Sequence, residues 1–281
     1  MRSAALGDPG DDFRQALSTL DSSAVWSATR TARDLGRADA CPLAGAGWTD
    51  WISAESDGAG TAFRIRLLPA RLHNAFNSAY PVDRNNGPLW GGRGVSVAVS
   101  TGVVFEAGRF SAALSPVLLW HQNRAFAIPD TVLPGLSPFA HPWHGESLDW
   151  PQRFGPDAFS RIDSGESYAR LDLGSWGVGV STQTRWWGPA RRYPLLLSNT
   201  APGWPHAFVE TTRPVSLGPL SVGGTMFWGS VKESEYWDGV SDNDRRWFTG
   251  FLVQLGLRAA RSLTLTVAGT RQDQLHPDGL A

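Results

Sequence analysis

The groups best able to grip a ligand are concentrated in one stretch. It runs Arg185-Trp186-Trp187-Gly188-Pro189-Ala190-Arg191-Arg192-Tyr193-Pro194 and continues to Ser198-Asn199-Thr200-Ala201-Pro202-Gly203-Trp204-Pro205-His206. Proline lacks a backbone donor and glycine loses the most backbone entropy, so this is a loop and not a helix. A loop that keeps large rings and cations together usually has something to hold. Trp187 and Trp204 are candidate stacking platforms for sugar rings. Arg191 and Arg192 could pair with the carboxylates of acidic sugars through their planar forks. Trp186, Trp187 and Trp204 would equally suit an aromatic girdle at a lipid interface. A stiffened loop, not a clean strand end, favours the sugar for Trp187 and Trp204.

Other constellations are weaker. His141-Pro142-Trp143-His144-Gly145-Glu146 offers two imidazoles and a carboxylate, but Pro142 and Gly145 prevent the helix that would align them on a metal. Glu233, Glu235, Asp238, Asp242 and Asp244 precede Arg245-Arg246 without the spacing of a calcium loop, and read as a solvated acidic loop. No metal site and no cofactor is expected. Asp149, Asp157, Glu166, Asp172 and Glu210 could supply a pair of carboxylates for glycoside cleavage, which keeps a β-fold glycosidase or lyase as an alternative. No Gly-x-Ser-x-Gly, phosphate-binding loop or His-Glu-x-x-His is present, so the chain is not expected to be an enzyme.

The elements that must position the loop are strands. Asp11 to Leu35 has helical spacing at Phe13, Leu17 and Leu20, and residues 40 to 60 read as loop. Beyond them the period changes to two. Val95, Val97, Val99, Val103 and Phe105 alternate with small residues, and Phe110, Ala112, Leu114, Leu118 and Trp120 resume the pattern across a hairpin. Similar runs cover 169–182, 207–228 and 247–267. Asp172, Gln183, Glu210 and Gln254 sit mid-strand on the small, polar face. Tight turns near 106–109, 174–175, 216–219 and 259–261 alternate with long aromatic links at 121–167, 185–206 and 230–246. Strands of about ten residues with one apolar and one polar face, short turns at one end and long loops at the other, are the pattern of an outer-membrane barrel.

Composition agrees. The 281 residues carry a net charge of -1, which points to no nucleic-acid partner. Fourteen Trp suit surfaces where a ring is half wet, and Cys41 is alone, so there is no disulfide framework. No run approaches the ~18 apolar residues of a spanning helix, and no signal peptide is visible.

The sequence resembles the Wzi-type capsule assembly family. The resemblance rests on Trp186-Trp187-Gly188-Pro189, Leu196-Leu197-Ser198-Asn199, Ala201-Pro202, the strand from His206 to Pro214, Asn77 to Asn85, and Trp90-Gly91-Gly92-Arg93-Gly94. It implies a bacterial outer-membrane β-barrel that acts as a lectin for surface polysaccharide, holds capsule to the cell, has small helices beside the barrel and performs no catalysis. Thr200 stands where a second Asn would be expected. The expected organisation is an all-β, antiparallel transmembrane barrel over 61–281, incomplete at its C-terminus, preceded by a helical or loop segment over 1–60. Leu263–Thr270 is expected to be left as an open edge. The partners expected are capsular or extracellular polysaccharide and outer-membrane lipid, and the protein is expected to be a monomer. Candidate carbohydrate contacts are Trp186, Trp187, Arg191, Arg192, Asn199, Trp204, His206 and Glu210. A porin-like channel is the remaining alternative.

Overall fold

A computed structural model describes residues 29–30, 54–55, 63–82, 85–130, 135–143, 149–187, 196–237, 244–257 and 260–274. The described residues form antiparallel β-structure and contain no helix. Of the helical or loop segment expected over 1–60, Thr29–Arg30 is a strand (β1), and so is Ala54–Glu55 (β2). The segment read as helical meets the described residues only at Thr29–Arg30, where the backbone pairs with Trp186–Trp187. The rest of that segment lies outside the described residues.

The remaining strands follow one another. They are β3 (Phe63–Asn77), β4 (Gly94–Ala107), β5 (Phe110–Leu114), β6 (Val117–His121), β7 (Phe159–Asp163), β8 (Tyr168–Leu173) and β9 (Trp176–Ser181). After β10 (Trp186–Trp187) come β11 (His206–Thr211), β12 (Val215–Leu217), β13 (Leu220–Lys232), β14 (Arg245–Leu257) and β15 (Ala260–Gln274). All but β1 and β10 belong to one 13-stranded sheet in the order β15-β14-β13-β11-β9-β8-β5-β4-β3-β2, with β6 and β7 extending the path through β4. Strands adjacent in sequence are neighbours, as in an up-and-down meander. The sheet does not close on itself: β2 and β15 are its two edges, and β15 contains the segment Leu263–Thr270 expected to be an edge.

Local chemistry explains the irregularities. Pro116 cannot donate to the ladder, yet β5 and β6 keep one register against β4 (Val103↔Leu114, then Ser100↔Val117). The interruption falls on the next strand, which buckles between β7 and β8. There the Ser115 amide donates to Ser167 Oγ at 2.9 Å. In β3, Pro69 and Ala70 together face a single β4 residue, because the register steps from Leu68↔Gly102 to Arg71↔Ser100. This is a β-bulge, and it exchanges the two faces of β3 midway along the strand.

The sheet is partly inverted relative to a water-soluble protein, with apolar side chains exposed on one face and polar residues buried beside aromatic ones on the other. Leu118, Leu171, Val180, Met226, Phe251, Val253, Leu265 and Val267 are exposed, and Val97 shares their face, half-buried. The opposite, concave face buries Ser96, Ser111, Arg170, Ser181, Gln183, His206, Thr225 and Gln254. Small residues there make room for large neighbours. A Cβ at Gly177 would strike the Arg170 guanidinium, and one at Gly250 would strike the Phe227 ring. Glycine on these strands is the socket for a large side chain from the neighbouring strand.

Candidate functional site

The centre of the concave face is a belt of ion pairs. Alternation on β8 aims Arg170 inward and alternation on β11 aims Glu210 inward, while residues 182–187 run on from β9 and bring Arg185 over them. Arg185 Nη1 lies 3.0 Å from Glu210 Oε2, and Arg170 Nη1 donates to Glu210 Oε1. Arg170 Nε also donates to Asp172 Oδ1 at 2.6 Å. Arg185, 1 % exposed, stands over the Phe208 ring with its guanidinium carbon 4.8 Å from the centroid. Its Nε meets His206 Nε2 at 3.3 Å, while His206 Nδ1 meets the Trp204 carbonyl at 2.7 Å. Guanidinium N–H only donates and a carbonyl only accepts, so the imidazole carries its proton on Nδ1 and accepts on Nε2. Two cations face two carboxylates, and the belt is charge-balanced. It holds three chain segments at one height; breaking such a pair costs far more than its net worth because one buried charge is stranded.

This belt contains His206 and Glu210 of the candidates read from sequence. Both are bound to Arg185 and lie inside the sheet. Trp187 is 2 % exposed and packs with Leu197, Phe208, Phe227, Phe248 and Leu252, while Trp204 packs against the same cluster. Trp204 meets Phe227 and Phe248 at ring-centroid distances of 5.2 and 5.1 Å. The expectation that Trp187 offers a face to a sugar is corrected: Trp187 is core, and Trp204, half-buried, packs on the same cluster. Trp186, half-buried, pairs through its backbone with Arg30. Arg191 and Arg192 lie outside the described residues. Asn199 is tied into the loop pairing through Nδ2, which donates to the Asn85 carbonyl at 3.2 Å.

Of the acids considered for glycoside cleavage, Asp172 and Glu210 lie together, both bonded to Arg170, and the others are held elsewhere. Glu166 accepts from Thr184 Oγ1 at 2.8 Å, Asp172 and Glu210 belong to the belt, and Asp149 accepts from the Ser234 amide at 2.7 Å. No group of three or more His, Cys, Asp or Glu is arranged for a metal ion among the described residues.

The long connections all leave the same end of the sheet, and they meet in two pairs. The 78–93 loop joins the 182–205 loop: the Gly87 amide donates to the Asn199 carbonyl at 2.7 Å and Thr200 Oγ1 meets Asn85 Oδ1 at 3.2 Å. The 122–158 loop joins the 233–244 loop: Ser234 donates to Asp149 through both its amide and its hydroxyl, and Tyr236 stands edge-on to Phe139 and Phe154. Each pair reaches over the connection between its members, which requires a strongly curved sheet. The 122–158 loop is also tied to itself. Asn123 Nδ2 donates to the carbonyls of Phe154, Gly155 and Asp157, and Arg153 Nη2 donates to the Asn123 carbonyl at 2.6 Å. Sequence reading passed over Arg170 as well as this second loop pair. Its signal was an arginine on the small-residue face of β8, with Gly179 opposite and Gly177 two residues along.

No curated protein and no solved structure matches the chain. A protein family does, over residues 80–268, which span the sheet from the β3–β4 connection into β15. The inward arginine belt, the Trp-Gly-Pro loop and the long-loop end all fall within that match, and the chain belongs to the family of the capsule assembly protein Wzi.

Proposed function

We propose that this capsule assembly protein spans the bacterial outer membrane as a β-barrel and binds surface exopolysaccharide at its long-loop end, without catalysis. The observation that carries the membrane placement is the inverted sheet. Its exposed face is a continuous apolar band, far larger than the patches a soluble monomer leaves in water. Aromatic residues bound the band on both sides. Trp120, Trp228 and Trp247 lie near the long-loop end and Phe105, Phe110 and Trp176 near the tight turns, all on the outward side of their strands. From Trp247 to Leu257, a strand rising ~3.3 Å per residue and tilted ~40° climbs roughly 25 Å, the height of the apolar band in such barrels. Arg271 and Asp273 pair on the outward face at 2.8 Å, beside Thr249 and Trp247 at the long-loop edge of the band.

Polysaccharide binding is supported by the family and by the gathering of the long, aromatic loops at one end, where they are held by side-chain bonds and so pre-ordered for a ligand. The experiment is surface labelling of intact cells. Single cysteines in place of Glu235 and Ser216 should react from outside at the first position only, and deletion of the gene should release capsule into the medium. Labelling at both positions, or capsule retained in full, would sink the reading.

A further inference from the structure

We infer a second carbohydrate surface, on the paired 122–158 and 233–244 loops, that takes uncharged sugar rings on Trp143 and Trp150. This rests on the polysaccharide reading above and assigns the residues and the ligand class. Unlike Trp187 and Trp204, these two indoles are in the open: Trp143 is 64 % and Trp150 68 % exposed. They do not belong to the lipid-facing girdles, because they stand on a loop beyond the strands and not on the outward face of one.

Exposed tryptophan on a loose loop would cost entropy on binding; here described residues next to each ring are bonded in place. Trp143 stacks edge-on with His141 at a ring distance of 6.0 Å, and its amide meets His141 Nδ1 at 3.4 Å. Trp150 lies between Asp149, clamped to Ser234, and Gln152, whose Nε2 donates to the Ala140 and Pro129 carbonyls at 3.0 and 3.2 Å. The Gln152 amide adds a bond to the Phe139 carbonyl at 2.7 Å. A flat ring with an exposed face, carried on backbone that is already bonded in place, can receive the C–H face of a pyranose with reduced ordering cost.

The charge of the two loops favours one class of ligand. Asp130, Asp149, Asp157 and Glu235 are exposed on these loops, against Arg124 alone of the exposed described cations, since Arg153 is buried in the loop's own bonds. Carboxylates accept hydrogen bonds from sugar hydroxyls and repel the carboxylates of acidic sugars. The surface therefore favours neutral segments of a polymer over uronate-rich ones.

The test uses the full chain in outer-membrane vesicles, with affinity electrophoresis against dextran, mannan and galactan as uncharged probes and polygalacturonate as the acidic one. At least one uncharged probe should bind more tightly than polygalacturonate. Trp143→Ala and Trp150→Ala should each weaken it about two- to tenfold, the scale of one ring contact, and Trp150→Phe should keep most of it. Glu235→Gln should raise binding of polygalacturonate. All these side chains are exposed, so the variants should remain folded, and heat modifiability on electrophoresis verifies it. Full binding by the folded double Ala variant, or preference for polygalacturonate, would overturn the inference and leave the polysaccharide reading standing. Failure of the wild-type protein to bind any probe, together with capsule retained on gene deletion, would overturn both.

Discussion

Two loops of this protein are alike in composition and opposite in fate. Residues 182–205 and 122–158 are both rich in Trp, Pro and Gly, and both start and end at the same rim of the sheet. The first turns inward. Trp187 and Trp204 sink against Phe227 and Phe248, and Gly229 and Gly250 on β13 and β14 leave the space for them. The second stays outside, closed on itself by Asn123 and Arg153, and leaves Trp143 and Trp150 in the open. A tryptophan in a stiff loop thus says little about ligands until the strands beneath it are known. What decides is whether glycines wait opposite.

The comparison can be broken most forcefully at the inward loop. Trp187→Ala should destabilise the folded state by about 3–5 kcal/mol, the cost of emptying a buried aromatic site, read as a fall in the urea midpoint of the protein refolded in lipid. An unchanged midpoint would mean that the ring is not core. Glu210→Gln is expected to cost about 3 kcal/mol or more, because Arg170 and Arg185 lose the charge that balances them. Glu210→Gln combined with Arg170→Met should recover part of that loss if the belt is a pairwise structure. On the sheet between the loops, Val180→Arg should cost about 2–4 kcal/mol at the centre of the apolar band, whereas Leu196→Arg, exposed but in a loop, should cost little. Equal effects in lipid would contradict the lipid-facing assignment. At the outward loop, Trp143→Ala and Trp150→Ala should change stability by less than about 0.5 kcal/mol, as exposed sites do. A cost comparable to that of Trp187→Ala would erase the contrast.

Much of the sheet could be read directly from the residues. The β4 to β6 hairpin, β13, β14 and β15 alternate cleanly, and the separation of tight turns from long loops is visible in the spacing of glycine, proline and aromatic clusters. β3 was obscure for a definite reason. Its apolar residues run Phe63, Ile65, Leu67 and then Leu72, Phe76, and the extra residue at Pro69-Ala70 moves them from odd to even positions, which cancels the period. The girdle was sought in Trp186, Trp187 and Trp204, although Trp120, Trp228 and Trp247 lay at strand ends in the same sequence. A period-two pattern reports which face a residue is on and is silent about its height. Height emerges only from the register of neighbouring strands, such as Trp120↔Val97 and Trp247↔Ser230. The ion-pair belt was beyond reach for a similar reason, since Arg170, Arg185 and Glu210 come from three segments and share no spacing.

The cross-loop bonds also have a mechanical consequence. Asn85 with Asn199 and Asp149 with Ser234 fasten connections whose strands are not adjacent in the sheet. A pull applied at the rim would load several strands lengthwise together. Antiparallel strands loaded along their length must slide, breaking many ladder bonds at once, where a single loop pulled alone could peel its hairpin one bond at a time. The rim thereby behaves as a yoke that spreads tension over the wall.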